Sequence, residues 1–232
     1  VFCELYAGGK YQNNLSDTYS FSLGLNGLGA CATQYSAEFM DVEIYRDEMH
    51  YTLHFEKGQN IGGLKKEPAP GHATGTTITW RPDRDVFTDI AIPVDYFETV
   101  LKKQAIVNAG ISFLFFDEAS QKKETFFYQN GIRDYLEELN ATGNPLTGVT
   151  YWQTQATGRD REDKEEYRLK FQVAFAFNNE VNLIEYYHNS SFLEHGGAPD
   201  KAVRSAFVFA FDRYLKQNNL YKKDEKKISF ND

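Results

Sequence analysis

The chain has 232 residues, 41% of them hydrophobic and 16% aromatic, which excludes a disordered polymer and leaves ample length for a packed core. Its 25 basic and 33 acidic residues give a net charge of −8. That balance opposes broad, sequence-independent binding to nucleic acid, so any contact with DNA must use a local basic patch. No apolar run is long enough to span a bilayer and no signal peptide opens the sequence. Cys3 and Cys31 make neither a disulfide framework nor a metal cluster, and a reduced, cytoplasmic setting is the simplest reading. The 19 Phe and 15 Tyr, with Thr and Val, predict much β-sheet.

In chain order, residues 1–23 are polar, with Asn13–Asp17 as a loop signal. Gly24-Leu-Asn-Gly-Leu-Gly29 follows, and the small and straight residues after it predict a helix ending near Ser36. Glycines let a backbone approach a ligand closely, and the free N–H groups of a helix N-terminus favour negative charge. The motif therefore reads as a phosphate cradle or, more plainly, as a Gly-rich loop. It is neither a dinucleotide fingerprint nor a Walker A loop, because the glycine spacing differs and no Gly-Lys-Ser/Thr closes it. Phe39–Tyr45 alternates as a half-buried strand, Arg46–Met49 turns, and His50–Phe55 returns as its hairpin partner. Lys57–Ala73 is expected to be a mobile connection, and Thr76–Trp80 resumes the sheet until Pro82 stops it.

Pro93 marks the first turn of a second helix with the stripe Phe97, Val100, Leu101, Gln104, Ile106 and Val107, capped by Gly110. Ile111–Phe116 and Glu124–Tyr128 predict a second hairpin, and Asn130–Leu139 a short helix. The polar stretch from Asn140 to Pro145 is the predicted domain boundary, dividing the chain into residues 1–139 and 140–232. Beyond it, Thr150–Thr154, Tyr167–Phe177 and Val181–Tyr187 predict a three-stranded meander, with a charged loop over residues 158–164. A final helix over residues 198–217 carries the stripe Val203, Phe207, Phe211 and Tyr214, expected to pack on the sheet. Residues 222–227 read as a solvated charge run, and Ile228–Phe230 as a short strand.

The residues by themselves supply no nucleophile–base–acid triad. The pairs Glu137/Glu138 and Glu165/Glu166 are sequence neighbours whose side chains point apart, as solvated surface does. Arg159-Asp-Arg161 is either a phosphate clamp or a loop of mixed charge. His50 and His54 share a strand face but lack partners at zinc-ligand spacing. On this footing the chain is a β-rich α+β protein with a phosphate-binding loop as its candidate site.

Three stretches in order, Tyr6-Ala-Gly-Gly-Lys10-Tyr, Gly24–Gly29 and Thr74-Gly-Thr-Thr-Ile-Thr-Trp80-Arg-Pro82, resemble the lid and second half of the GHKL-type ATPase of type IIA topoisomerase B subunits. The family's lid usually reads Gly-Leu-His-Gly-Val-Gly, and here Asn26 replaces the histidine. The resemblance implies an α+β fold: a truncated GHKL (Bergerat-type) α/β sandwich, then part of a transducer domain of the ribosomal protein S5 domain 2-like kind. It implies a gyrase-like ATP-dependent topoisomerase, with ATP and Mg²⁺ as cofactors. The implied partners are DNA, the topoisomerase A subunit and a second copy of the B subunit in the ATP-bound clamp, with no membrane.

Residue by residue, the resemblance implies an ATP site of Lys10, Tyr19, Gly24, Asn26, Gly27, Leu28, Gly29 and Thr76, and a DNA-cavity residue at Arg204. Gly196-Gly-Ala-Pro199 replaces the family's Gly-Gly-Thr-His before the last helix. The N-terminus at Val1 reads as mid-element, so the chain is expected to be a fragment. The family's general base, magnesium ligand and adenine-binding aspartate are expected ahead of it, and its lysine loop after Asp232. No catalytic or metal-binding residue is then expected within these 232 residues, and the fragment is expected to be inactive alone, with its lid (about residues 8 to 29) disordered or displaced. The rival reading is a non-enzymatic β-rich interaction module with a structural glycine loop. A lid ahead of a layered unit favours the ATPase, and a closed sandwich opposes it.

Overall fold

A computed structural model describes residue 2 and residues 28–159, 161–163 and 166–231. It divides into two compact units, Val1–Pro93 and Val94–Asp232. Four helices and several antiparallel sheets make up the described residues, a mixed α+β fold with no closed sandwich.

In the first unit, helix α1 (Leu28–Tyr35) precedes a hairpin of β1 (Ala37–Arg46) and β2 (Met49–Glu56). The tight turn between them holds Asp47 and Glu48 at φ 54° and 59°, the twist that matches two right-handed strands. Strand β1 also pairs with β5 (Gly75–Pro82), in the register Met40↔Trp80, Val42↔Ile78 and Ile44↔Thr76. Alternation then puts Met40, Val42 and Ile44 on one face with Phe55 and Leu53 of β2. Met40, Val42 and Phe55 are the buried core there, and Phe2 packs against them. The opposite face is polar: His54 Nδ1 and an Asp41 carboxylate oxygen are 2.6 Å apart, and His54 Nε2 lies 3.2 Å from Glu56.

Residues 57–73 correct the expectation of a mobile connection. They contain β3 (Gln59–Asn60) and β4 (Lys65–Pro68), both antiparallel to β2. Every residue of the two strands is exposed, so backbone pairing holds them and no apolar period announces them. Lys-Lys-Glu-Pro is a composition suited to a sheet edge that must not recruit another chain.

The second unit begins with α2 (Val94–Val107), one residue after Pro93. Its buried residues are Ala105 and Ile106, which pack with Tyr128 beneath the hairpin of β6 (Phe113–Asp117) and β7 (Lys122–Phe126). Helix α3 (Ile132–Ala141) follows, and its adjacent carboxylates diverge as expected. Glu137 pairs with Arg133, whereas Glu138 accepts from the Tyr128 hydroxyl at 2.9 Å and from Lys102.

Strands β8 (Thr150–Gly158) and β9 (Tyr167–Phe175) form a two-stranded ribbon. The expected third strand over residues 181–187 does not form. Asn178 is drawn into a bridge with Pro145 and donates from its side chain to Asn140, which turns the chain away from β9. Only the two-residue pair β10 (Tyr187–His188) and β11 (Ser191–Phe192) follows. Its turn is clipped to α2, where Gln104 Nε2 donates to the Ser190 carbonyl at 3.0 Å.

Helix α4 (Gly197–Gln217) packs on the ribbon as its stripe predicts, with Phe207 edge-on to Phe175 at 5.2 Å and Phe211 edge-on to Phe177 at 6.3 Å. Tyr214 departs from the stripe and is exposed. Residues 228–230 are not a strand either: the segment folds back along α4, Ile228 N–H donating to the Tyr221 hydroxyl and Phe230 stacking on Arg204.

Candidate functional site

The candidate site is the face of the first sheet over which α1 starts. Lys10, Tyr19, Gly24, Asn26 and Gly27, and the part of the lid through residue 27, lie outside the described residues. Leu28 and Gly29 form the first turn of α1, where backbone N–H groups have no partner within the helix. That turn contains no acidic side chain, so its positive dipole end is uncompensated by carboxylates of its own. Leu28 is exposed, and a Cβ added to Gly29 meets no atom within 4 Å. The glycine is therefore not demanded by packing.

The other end of α1 is anchored. Cys31 and Gln34 are buried, and the Cys31 thiol donates to the Phe2 carbonyl at 3.4 Å. Ser36 Oγ donates to Ala32 O at 2.7 Å, and the Asp83 N–H donates to Ser36 O at 3.0 Å. Asp83 is itself buried and lies 3.6 Å from Lys57 Nζ, which also binds Asp85. Hydrogen bonding to Lys57 holds the Asp85 carboxyl below its usual range, and the same contact raises the lysine. Tyr35 covers Gly58, whose φ of 84° and close ring contact require glycine. The N-terminal turn of α1 is thus carried by a fixed C-terminus.

Thr76, Ile78 and Trp80 lie two apart on β5 and share one face of the sheet. Ile78 and Trp80 join Phe2, Ala30, Thr33 and Met40 around a concavity of about 250 Å³. Thr76 stands further along, opposite Ile44, roughly 13 Å from Trp80 at the usual strand rise. The result is an apolar wall with a hydroxyl at one end and the N-terminal turn of a helix beside it. Such a surface can hold a flat apolar ring and an anion together. Sequence reasoning misses the wall of Met40, Ile78 and Trp80, although the two-residue period running from Thr76 through Trp80 carries it. Among the described residues no group of three or more His, Cys, Asp or Glu is placed to hold a metal ion.

Arg204 lies in the other unit, on α4, and is half-exposed. Its Nε donates to both Asp200 oxygens, at 2.8 and 2.9 Å, and its guanidinium carbon sits 4.3 Å from the centre of the Phe230 ring. The Asp200 partner is legible in the sequence as an i,i+4 pair, whereas Phe230 is not. Arg159 pairs with Glu166 at 3.0 Å, as a loop of mixed charge does.

The family model described as DNA gyrase B matches residues 131–232. The DNA gyrase B protein of Spiroplasma citri is 30% identical over all of this chain and 36% of its own length. The corresponding DNA topoisomerase 4 protein of Enterococcus faecalis, likewise its B component, is 26% identical over all of the chain and 33% of its own. The 43K ATPase domain of Thermus thermophilus gyrase B, solved with an aminocoumarin, superposes with a TM-score of 0.66 at 25% identity, covering 88% of this chain and 54% of that one. The chain is similar to the B subunits of DNA gyrase and DNA topoisomerase 4. The chain spans about a third of the length of the curated relatives it matches. Its α+β fold is that of the gyrase B ATPase domain, and Leu28 and Gly29, the last two residues of the glycine motif, open α1.

Proposed function

We propose that this chain is part of the B subunit of an ATP-dependent type II topoisomerase, in which it contributes the lid and one wall of the nucleotide site. The observation that carries the reading is the sequence Gly24–Gly29 running into the N-terminal turn of α1, beside the wall of Met40, Ile78 and Trp80, with Thr76 further along β5. The apolar wall suits adenine, with Thr76 at the adenine end. The backbone of Gly24, Asn26, Gly27, Leu28 and Gly29 wraps the triphosphate, and Lys10 and Tyr19 reach the phosphates. Mg²⁺ enters as the companion of those phosphates, supplying charge neutralisation when bound.

The functional boundary falls at 139/140, with residues 140–232 as the first part of a transducer; the family match over residues 131–232 supports this. Closure around ATP, hydrolysis and strand passage belong to the whole B subunit, acting on DNA with the A subunit and a second copy of itself. Arg204 is the residue of this chain that faces the duplex. A cytoplasmic location accords with the buried free thiol of Cys31.

Gly29→Ala separates ligand contact from packing, because the new methyl meets nothing in the fold. In the full-length protein, affinity for a fluorescent ATP analogue should fall about tenfold in Gly29→Ala, the effect of one displaced charge-assisted hydrogen bond. Its thermal midpoint should hold or rise, since alanine is the better helix former. Unchanged analogue affinity in both Gly29→Ala and Thr76→Val would overturn the assignment.

A further inference from the structure

We infer that Asp200 and Phe230 are positioning residues that present Arg204 to a DNA phosphate. The inference rests on the reading of Arg204 as a duplex-facing residue and goes beyond it by naming what holds the side chain. An arginine with a free guanidinium loses considerable rotamer entropy when it grips a phosphate, and a pre-held one loses less. Arg204 is held on two sides. Both of its hydrogen bonds to Asp200 leave from Nε, and the aromatic ring of Phe230 covers one guanidinium face. Neither of these bonds uses the Nη groups, the edge with which an arginine grips a phosphodiester oxygen pair.

The holders are themselves fixed. Asp200 lies in the first turn of α4, where a carboxylate is favoured by the helix dipole. Gly196 caps that turn at φ 66°, and a Cβ there would lie 2.7 Å from Asp200 Cβ, so the glycine lets the chain close on the aspartate. Phe230 is brought over α4 by the segment that Tyr221 and Asp212 tie down.

The sign of one substitution separates positioning from plain electrostatics. Removing a carboxylate beside a DNA-binding surface should tighten DNA binding if only charge matters. If Asp200 orients Arg204, Asp200→Asn should weaken it. The test uses the full-length protein and a linear duplex at fixed low salt, reading ATP hydrolysis against DNA concentration, with the rate without DNA as control. Asp200→Asn and Phe230→Leu should each raise the half-saturating DNA concentration about three- to tenfold, the lower part of the range for directly coupled side chains. The rate without DNA should stay within about twofold. Phe230→Tyr, which keeps the ring, should behave as wild type. Asp200→Asn combined with Arg204→Gln should be no worse than Arg204→Gln alone. A shift in Arg204→Gln with none in Asp200→Asn or Phe230→Leu overturns this inference and leaves the role of Arg204 standing. No shift in Arg204→Gln overturns both.

Discussion

The Tyr221 hydroxyl donates to the buried carboxylate of Asp212 across 2.9 Å, joining the last helix to the segment that returns along it. Lys216, one turn further along α4, donates to the other oxygen at 2.8 Å, and Ile228 N–H donates to the same tyrosine oxygen at 3.2 Å. The hydroxyl thus acts as donor and acceptor at once, and Tyr221→Phe removes both roles. The variant should lose about 2 kcal/mol of stability, the usual net value of a hydrogen bond to a charged group. Hydrogen exchange at Ile228 should accelerate in step. An unchanged denaturation midpoint with unchanged protection at Ile228 would show that the return segment is held by something else.

Asp212 also carries an acid dependence. Its hydrogen bond from Lys216, followed by that from Tyr221, holds its pKa below the ordinary 3.8. A carboxyl depressed in the folded state stabilises fully above its unfolded value, and the contribution is lost as pH falls from there through the folded value. Lys216→Gln should therefore flatten the acid limb of the stability curve below about pH 4 and leave the alkaline limb alone. Superimposable acid limbs for the variant and the parent protein would contradict this.

His54 has the opposite sign. Hydrogen bonding to Asp41, and next to Glu56, raises its pKa above the ordinary 6.5. Its contribution is fully present below the unfolded value and is lost as pH rises through the folded one. The β1–β2 hairpin should be better protected at about pH 6 than at about pH 8.5, and Asp41→Asn should bring the His54 titration back towards its ordinary value. An NMR titration of His54 that is identical in Asp41→Asn would rule the pair out as the cause.

Legibility from sequence follows the source of each element's stability. The β1–β2 hairpin buries one face and α4 half-buries the Val203 and Phe207 side of its own, so their periods of two and of nearly four stand in the sequence, and both are readable to within a residue or two. β4 buries nothing and is held by its backbone against β2, and its Lys-Lys-Glu-Pro carries no period to read. Val181–Tyr187 errs in the other direction: it alternates, yet Asn178 diverts the chain before it can pair. Within the candidate site, the glycine motif and Thr76 are legible because backbone freedom and a hydroxyl are properties of single residues. The wall of Met40, Ile78 and Trp80 is not, because it depends on the register that places β5 against β1.

Three glycines form a graded test of how much of the backbone is dictated by sterics alone. Gly29 is helical and unobstructed, and Gly63 has φ 69° with nothing within 4 Å of an added Cβ. Gly131 has φ 59° and ψ −127°, and its Cβ would lie 2.9 Å from the Ile106 carbonyl oxygen and 3.2 Å from Ala109 Cβ. Gly131 caps α3, donates to Tyr128 O and accepts from Tyr135 N–H, so it cannot move without loosening both the helix and the buried Ile106–Tyr128 cluster. Alanine at 29 should stabilise by up to about 1 kcal/mol through helix propensity. Alanine at 63 should cost about 1 kcal/mol, for the left-handed backbone alone. Alanine at 131 should cost roughly 2–4 kcal/mol, because the strained backbone and the clash with a buried carbonyl act together. Chemical denaturation of the three variants measures the order directly. If Gly131→Ala were no less stable than Gly63→Ala, the close approach of α3 to the end of α2 would not be the constraint that glycine satisfies.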